Sequence, residues 1–283
     1  MGMRPRRFLL YVVMDMSESM SKYDEESGQA KILTAMNIVS NIIESTRRNA
    51  TLASVLRISL IGFNQDVSDL YRYDKDNKTI EDRDWEALET WWKNNKDDLA
   101  SKCGGQTYFT ILFKGLKEII ERDQKLYDPK KFELYRPVVY FLTDGRPFGD
   151  SETEDAIKKC YDELVSDAGD NMKPPAILTV GIGDAEIKGV EKYAAGRTWT
   201  GSHYGEYRKA NKDMAFVFKG KKAMDMLYRL NAAVLDCITN SMAIGRPTGK
   251  VIEPELPPRG PIIKTGGETI GENEDDEIVW NPF

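Results

Sequence analysis

The sequence predicts an α/β protein built on a doubly wound, Rossmann-like and mostly parallel sheet with helices on both faces. Three apolar runs of strand length, residues 8–14, 137–143 and 176–182, lack polar alternation, as is typical of strands buried on both faces. Segments with apolar residues at three- and four-residue spacing lie between them, which is the pattern of amphipathic helices. This succession of strands and helices favours a parallel sheet.

The first half of the chain continues the pattern after the strand at residues 8–14. Four apolar side chains at helical spacing predict the first helix: Ile32, Met36, Val39 and Ile43. Residues 56–63 predict a second strand and residues 67–71 a short third strand. Residues 84–99 predict a helix with Asp84 as its N-cap, because a carboxylate there can accept a free backbone N–H.

The second half repeats the alternation. Gly104 and Gly105 form a turn that leads into a predicted helix over residues 108–122. The elements predicted after it are a strand at 137–143, a helix at 152–168, a strand at 176–182, a short helix at 190–195, an edge strand at 215–218 and a helix at 223–242.

The composition divides the chain into a folded domain over residues 6–243 and a tail over residues 244–283. The tail is rich in Pro, Gly and acidic residues and nearly free of aromatic residues, so it is predicted to be mostly disordered. Residues 196–213 form an irregular, aromatic and basic insertion to which the sequence assigns no role.

Charge and cysteine content exclude several classes of function. The net charge of −6 argues against a nucleic-acid-binding surface, which needs clustered Lys and Arg. The three cysteines are widely spaced and suggest neither a disulfide framework nor a zinc site. No run reaches the roughly 18 apolar residues of a membrane span, and the apolar run after Arg7 is too short for a secretory signal. We therefore expect a cytoplasmic protein with a protein or ion partner and no membrane.

Oxygen-bearing side chains follow two of the buried strands. Asp15, Ser17 and Ser19 come directly after residues 8–14, and Asp144 comes directly after residues 137–143. The carboxyl ends of strands in a doubly wound sheet form binding sites where the winding direction reverses. If the two strands are adjacent there, these groups and the Thr107 hydroxyl can converge on one hard cation, above all Mg²⁺. The alternative is a strand end whose hydroxyls only cap a helix.

These five residues carry a resemblance to the von Willebrand factor A (vWA) family. Its metal-ion-dependent adhesion site (MIDAS) is an Asp-x-Ser-x-Ser run with a distant Thr and a distant Asp, matched here by DMSES at 15–19, GGQT at 104–107 and LTDG at 142–145. The resemblance implies a mostly parallel sheet with one short antiparallel edge strand. It also implies a metal site whose ligands are Asp15, Ser17, Ser19, Thr107 and Asp144.

The function implied by the resemblance is a protein interaction made through the metal. Mg²⁺ is the expected ion, with Mn²⁺ or Ca²⁺ as alternatives, and a partner's Asp or Glu would displace a metal-bound water. Glu18 stands where many members of the family have glycine, and its carboxylate could approach the site or point into solvent.

The chain looks most similar to the bacterial intracellular TerY/YegL type of vWA protein, on the strength of DMSESMS, RPVVYFLTDGRP and the single-domain size. This similarity implies a role in tellurite-type stress resistance or signalling. It also implies a protein kinase or a PP2C-like phosphatase as partner.

Two other classes of function stay open on the sequence. A Mg²⁺-dependent phosphoryl-transfer enzyme could use Asp15 as nucleophile, but Ser17 stands where such phosphatases have a second aspartate, so we expect no enzyme. An extracellular adhesion protein is the other alternative, which the unpaired cysteines oppose.

Overall fold

A central sheet organises the computed structural model, which describes residues 4–25, 27–70, 84–145, 152–166, 172–185, 191–193 and 215–218. The elements of the first half are β1 (Arg6–Asp15), β2 (Tyr23–Asp24), β3 (Gln29–Ala30), α1 (Lys31–Arg47), α2 (Ala50–Val55), β4 (Leu56–Phe63), β5 (Val67–Asp69) and α3 (Trp85–Leu99). Those of the second half are α4 (Phe109–Lys125), β6 (Glu133–Leu134), β7 (Val138–Thr143), α5 (Glu154–Val165), β8 (Ala176–Ile182) and β9 (Ala215–Phe218).

The strands lie in the order β5-β4-β1-β7-β8-β9, with β6 paired to the start of β1. Among these described strands, the pairs along the sheet are parallel except β4 with β5, which is antiparallel. The predicted mostly parallel sheet with one short antiparallel strand is therefore confirmed.

The winding direction reverses between β1 and β7. The chain moves from β1 to β4 on one side and later from β7 to β8 and β9 on the other. Met14 is paired with Leu142, so the carboxyl ends of these two central strands lie side by side. A crevice at such a reversal is the usual binding position in open α/β sheets.

Each face of the sheet has its own apolar core. Leu10, Val12 and Met14 of β1 pack on one face with the buried sides of α1 and α3. Leu9, Tyr11 and Val13 point to the other face, where they pack with α4 and α5. The alternation of β1 side chains between the two cores explains why its sequence is continuously apolar.

Several element boundaries differ from the predictions. The strand predicted at 67–71 ends at Asp69, and the helix predicted at 152–168 spans Glu154–Val165. The β2–β3 hairpin and α2 were not predicted, because two-residue strands and a six-residue helix carry too little periodic pattern. The insertion at 196–213, the helix at 223–242 and the tail at 244–283 lie outside the described residues.

None of the helices in the described ranges has the length and apolar character needed to cross a bilayer.

Candidate metal centre

Asp15 is the last residue of β1 and is fully buried. Its Oδ1 accepts the backbone N–H of Ser17 at 2.9 Å, and its Oδ2 accepts the hydroxyl of Thr143 at 2.8 Å. Thr143 is the last residue of β7, and its Oγ1 in turn accepts the N–H of Gly145 at 3.0 Å. The carboxylate is therefore held in a fixed orientation across the point where the winding reverses.

The two serines follow Asp15 at the start of a short 3₁₀ turn, Glu18–Ser21. The Ser17 and Ser19 hydroxyl oxygens lie 3.0 Å apart. Ser17 is buried and Ser19 is half-buried, so the hydroxyl pair lies between the core and the surface. Glu18 between them is exposed.

The turn that carries Thr107 is bonded to the Asp15 loop by backbone contacts. Gly104 N–H donates to Met16 O at 2.8 Å, and Glu18 N–H donates to Gly105 O at 3.1 Å. The Asn64 side chain also donates to Gly104 O at 2.9 Å. These contacts bring the buried Thr107 to the same edge of the sheet as Asp15.

Asp144 follows β7 directly and is 3% exposed. Its Oδ1 is buried and has no hydrogen-bond partner among the described residues. Its Oδ2 accepts the Lys31 ammonium at 3.3 Å. A buried carboxylate oxygen without a donor carries a large desolvation penalty. A cation bound to this oxygen would offset that penalty.

Lys31 was not recognised as a site residue on the sequence. It is the first residue of α1 and is 7% exposed, and its ammonium also forms an ion pair with Asp184, which follows β8. Burial lowers the pKa of Lys31, but the hydrogen bond to Asp184 and the charges of both aspartates outweigh it and raise the pKa above the usual value. One available signal was a cation in the first turn of a helix, where the helix dipole disfavours it.

The electrostatics of the site favour the binding of positive charge. Burial and, to a smaller extent, the neighbouring negative charge of Asp144 raise the pKa of Asp15 to about 6, although the hydrogen bonds from Ser17 and Thr143 lower it. Burial and the charge of Asp15 raise the pKa of the Cys103 thiol to about 11. The Cys103 thiol is thus protonated at neutral pH. A cation beside Asp15 would stabilise the charged form of its carboxylate.

Glu152 is a second residue that the sequence pattern did not reveal. Its carboxylate accepts the backbone N–H groups of Phe109 at 2.8 Å and Thr110 at 2.7 Å, and it also accepts the Thr110 hydroxyl. It therefore caps the N-terminus of α4, two residues after Thr107, from a segment that follows Asp144 in the chain. The segments that carry Thr107 and Asp144 are linked by this contact.

The residues present fit a hard divalent cation. The set joins two carboxylates to three hydroxyl-bearing side chains, and oxygen donors of this kind suit Mg²⁺, Mn²⁺ or Ca²⁺. The unpartnered Asp144 Oδ1 and the adjacent serine hydroxyls are the atoms with free capacity. Within the described ranges there is no group of three or more His, Cys, Asp or Glu placed to share a metal, and the site differs from such groups because hydroxyls supply most of its ligands.

Fold and site together define an α/β domain with an oxygen-rich centre at the carboxyl edge of a mostly parallel sheet. Residues 10–146 match the von Willebrand factor type A domain, and this range contains all five predicted ligands. This part of the chain is a vWA domain. None of the curated proteins matches the chain.

Solved structures share the fold at low sequence identity. Proximal thread matrix protein 1 from the mussel byssus has a TM-score of 0.52 and 16% identity over 83% of this chain and 49% of its own. Another structure of that protein is described with a zinc-occupied MIDAS motif. The pilus adhesin SpaC from Lactobacillus rhamnosus GG has a TM-score of 0.52 and 14% identity over 84% of this chain and 31% of its own. This chain thus spans about half the length of the mussel protein, and the likeness concerns the fold alone.

Proposed function

We propose that this protein is an interaction module that binds a carboxylate of a partner protein through a divalent cation. The cation would be held by Asp15, Ser17, Ser19, Thr107 and Asp144. The observation that carries the proposal is the buried Asp144 Oδ1, which no described group satisfies and which lies at the same sheet edge as the Asp15 loop. A cation there would remove the desolvation penalty of that oxygen.

Mg²⁺ is the proposed resident metal, and Mn²⁺ and Ca²⁺ are the alternatives. Carboxylate and hydroxyl oxygens are hard ligands, and the set contains no thiolate or imidazole. The zinc in the mussel protein's MIDAS supports a divalent ion at the matching position of a related fold.

A partner carboxylate follows from the charge of the ligand set. Neutral hydroxyls leave more of the metal's positive charge uncompensated than an all-carboxylate set would. The metal would supply an electrophilic position for an anionic oxygen, while Ser17, Ser19 and the two aspartates hold it at the sheet edge. We expect binding and no turnover, because Ser17 stands where a phosphatase of this kind would need its second aspartate.

The setting that we propose is the bacterial cytoplasm, in a stress-resistance system of the TerY/YegL type. The free Cys103 and Cys160 support a reducing compartment, since neither is in a disulfide. A protein kinase or a PP2C-like phosphatase is the partner that this setting suggests.

Calorimetric titration with MgCl₂ and MnCl₂ tests the site. Ser17→Ala and Asp144→Ala are expected to weaken metal binding by roughly tenfold or more, because each removes an oxygen of the set. Ser21→Ala is the matched control, since its hydroxyl lies in the same turn but donates to Glu18 O. Unchanged affinity in both ligand variants, with circular dichroism confirming their fold, would contradict the assignment.

Water proton relaxation of the Mn²⁺-loaded protein tests the carboxylate. Acetate is expected to lower the relaxation enhancement as it displaces a metal-bound water, and chloride at equal ionic strength is expected to leave it unchanged. The chain of residues 1–283 can then be used to capture the proposed kinase or phosphatase, with capture lost in EDTA and restored by Mg²⁺. Capture that persists in EDTA would place the contact outside the metal centre.

A further inference from the structure

We infer that the Lys31 ammonium sets the net charge of the metal centre and thereby its selectivity for an anionic partner group. The inference rests on the proposed function. Lys31 pairs with one oxygen of Asp144, leaves the other without a partner among the described residues, and adds one positive charge beside the proposed ligand set. It was absent from the predicted ligand set and would act through its charge without touching the metal.

The space for Lys31 is built into the fold. A Cβ on Gly183 would lie 2.9 Å from Lys31 Cε and 3.2 Å from Cδ, so the aliphatic stem of the lysine occupies the room that glycine leaves. Gly183 also has a φ of +67°, which disfavours any side chain there. Lys31 itself is placed in the first turn of α1 against the helix dipole. Lys31 is therefore a buried cation at a position that the helix dipole disfavours, in a space that requires glycine at 183. This placement points to a role beyond packing.

The two oxygens of Asp144 differ in their contacts with the ammonium. Lys31 Nζ lies 3.3 Å from Oδ2, while Oδ1 is buried without a described partner. On its other side the ammonium pairs with Asp184, whose side chain is 60% exposed. Asp184 thus anchors the lysine from the solvent side, and the buried contact places the ammonium charge directly beside Asp144.

The charge of the loaded centre follows from this arrangement. The two buried aspartates, the ammonium and a divalent ion together carry one net positive charge, whereas without the ammonium they are neutral. Asp184 is mostly in water, and its contribution is common to the native protein and to any Lys31 variant. The ammonium therefore repels the metal and attracts an incoming carboxylate.

These two effects have opposite signs, which separates them from simple damage to the site. Removing the charge is expected to tighten Mn²⁺ binding by about tenfold and to weaken acetate binding to the loaded site by about threefold, because the ion carries two charges and the carboxylate one. If the role of Lys31 were purely structural, its replacement would weaken both Mn²⁺ binding and acetate binding.

The experiment compares Lys31→Met and Lys31→Gln with Lys22→Met. Methionine retains an aliphatic stem against Gly183, and glutamine retains a hydrogen-bond donor without charge. Lys22 is exposed in the neighbouring turn and serves as the control for loss of one solvent-exposed positive charge. Free Mn²⁺ is measured by electron paramagnetic resonance, and acetate binding is measured by water proton relaxation.

Tighter Mn²⁺ binding with weaker acetate binding in both Lys31 variants, and neither change in Lys22→Met, supports the inference. Weaker binding of both Mn²⁺ and acetate in the Lys31 variants, or unchanged binding of both, overturns the inference. If the native protein binds no Mn²⁺ or its loaded form takes no acetate, the proposed function fails.

In that case thermal unfolding in EDTA tests whether Lys31 is the counter-ion of Asp144. Lys31→Met should lower the melting temperature, and addition of Asp144→Asn should restore it. Absence of that rescue overturns the assignment of Lys31 to Asp144.

Discussion

The Thr143 hydroxyl donates to Asp15 Oδ2 at 2.8 Å and joins the last residue of β7 to the last residue of β1. Both groups are fully buried. Because the winding direction of the sheet reverses between these strands, the hydrogen bond links their carboxyl ends at the point of reversal. Asp144, the next residue after Thr143, is thereby set beside Asp15.

Thr143→Val tests this link. Valine keeps the shape of the side chain but removes the donor to Asp15, so the free energy of unfolding is expected to fall by about 1–2 kcal/mol and metal binding to weaken severalfold. Thr179→Val is the matched control, because Thr179 is buried on β8 and its hydroxyl has no partner among the described residues. Chemical denaturation and Mn²⁺ titration measure both. Equal losses in the two variants would show that the hydroxyl of Thr143 has no special role.

The pH dependence of the metal-free protein tests the environment of Asp15. Its pKa is raised from 3.8 in the reference state to about 6, so the folded protein binds the proton more tightly than the unfolded chain. The stability from this group is full below the unfolded pKa and is lost as pH rises through about 6, with a total loss on the order of 3 kcal/mol.

Asp15→Asn provides the comparison, because the amide stays neutral throughout. In EDTA the native protein should lose stability relative to Asp15→Asn between about pH 4 and about pH 6, the range from the unfolded to the folded pKa. Urea denaturation at several pH values gives this difference. A difference that stays constant over that range would contradict the raised pKa.

Glu152 provides a test of the capping contact on α4. Glu152→Gln removes the charge that faces the helix N-terminus and exchanges one acceptor oxygen for a donor, so a loss of about 1–2 kcal/mol is expected in the free energy of unfolding. Glu154→Gln is the control, since that exposed carboxylate pairs with the exposed Lys192 and its ion pair should contribute little to stability. Weaker Mn²⁺ binding only in the Glu152 variant would link the cap to the Thr107 turn. Equal behaviour of the two variants would refute that link.

The position of the site follows from local sequence patterns, whereas several of its contacts depend on tertiary structure. Asp15 and Asp144 could be predicted to lie close together because each follows a continuously apolar strand, and parallel strands bring such ends to one edge. Thr143, Glu152 and Lys31 could not be assigned their contacts in the same way. Their partners are distant in the chain, and no periodicity of residue type encodes a hydrogen bond between two loops.

Gly105 and Gly104 form a matched pair for the turn before Thr107. Gly105 has a φ of +73°, and a Cβ there would lie 3.3 Å from the Gln65 side chain, whereas a Cβ on Gly104 would meet nothing within 4 Å. Gly105→Ala is therefore expected to cost about 1 kcal/mol or more in stability, because alanine is strained at that φ, while Gly104→Ala should be nearly neutral.

The functional consequence follows from the backbone contacts of the turn. Gly105 O accepts the N–H of Glu18, so a distortion at residue 105 reaches the loop that carries Ser17 and Ser19. Mn²⁺ affinity should fall in Gly105→Ala and not in Gly104→Ala, as measured by electron paramagnetic resonance on samples of equal folded fraction. Similar affinities in the two variants would mean that the geometry of this turn does not control the metal centre.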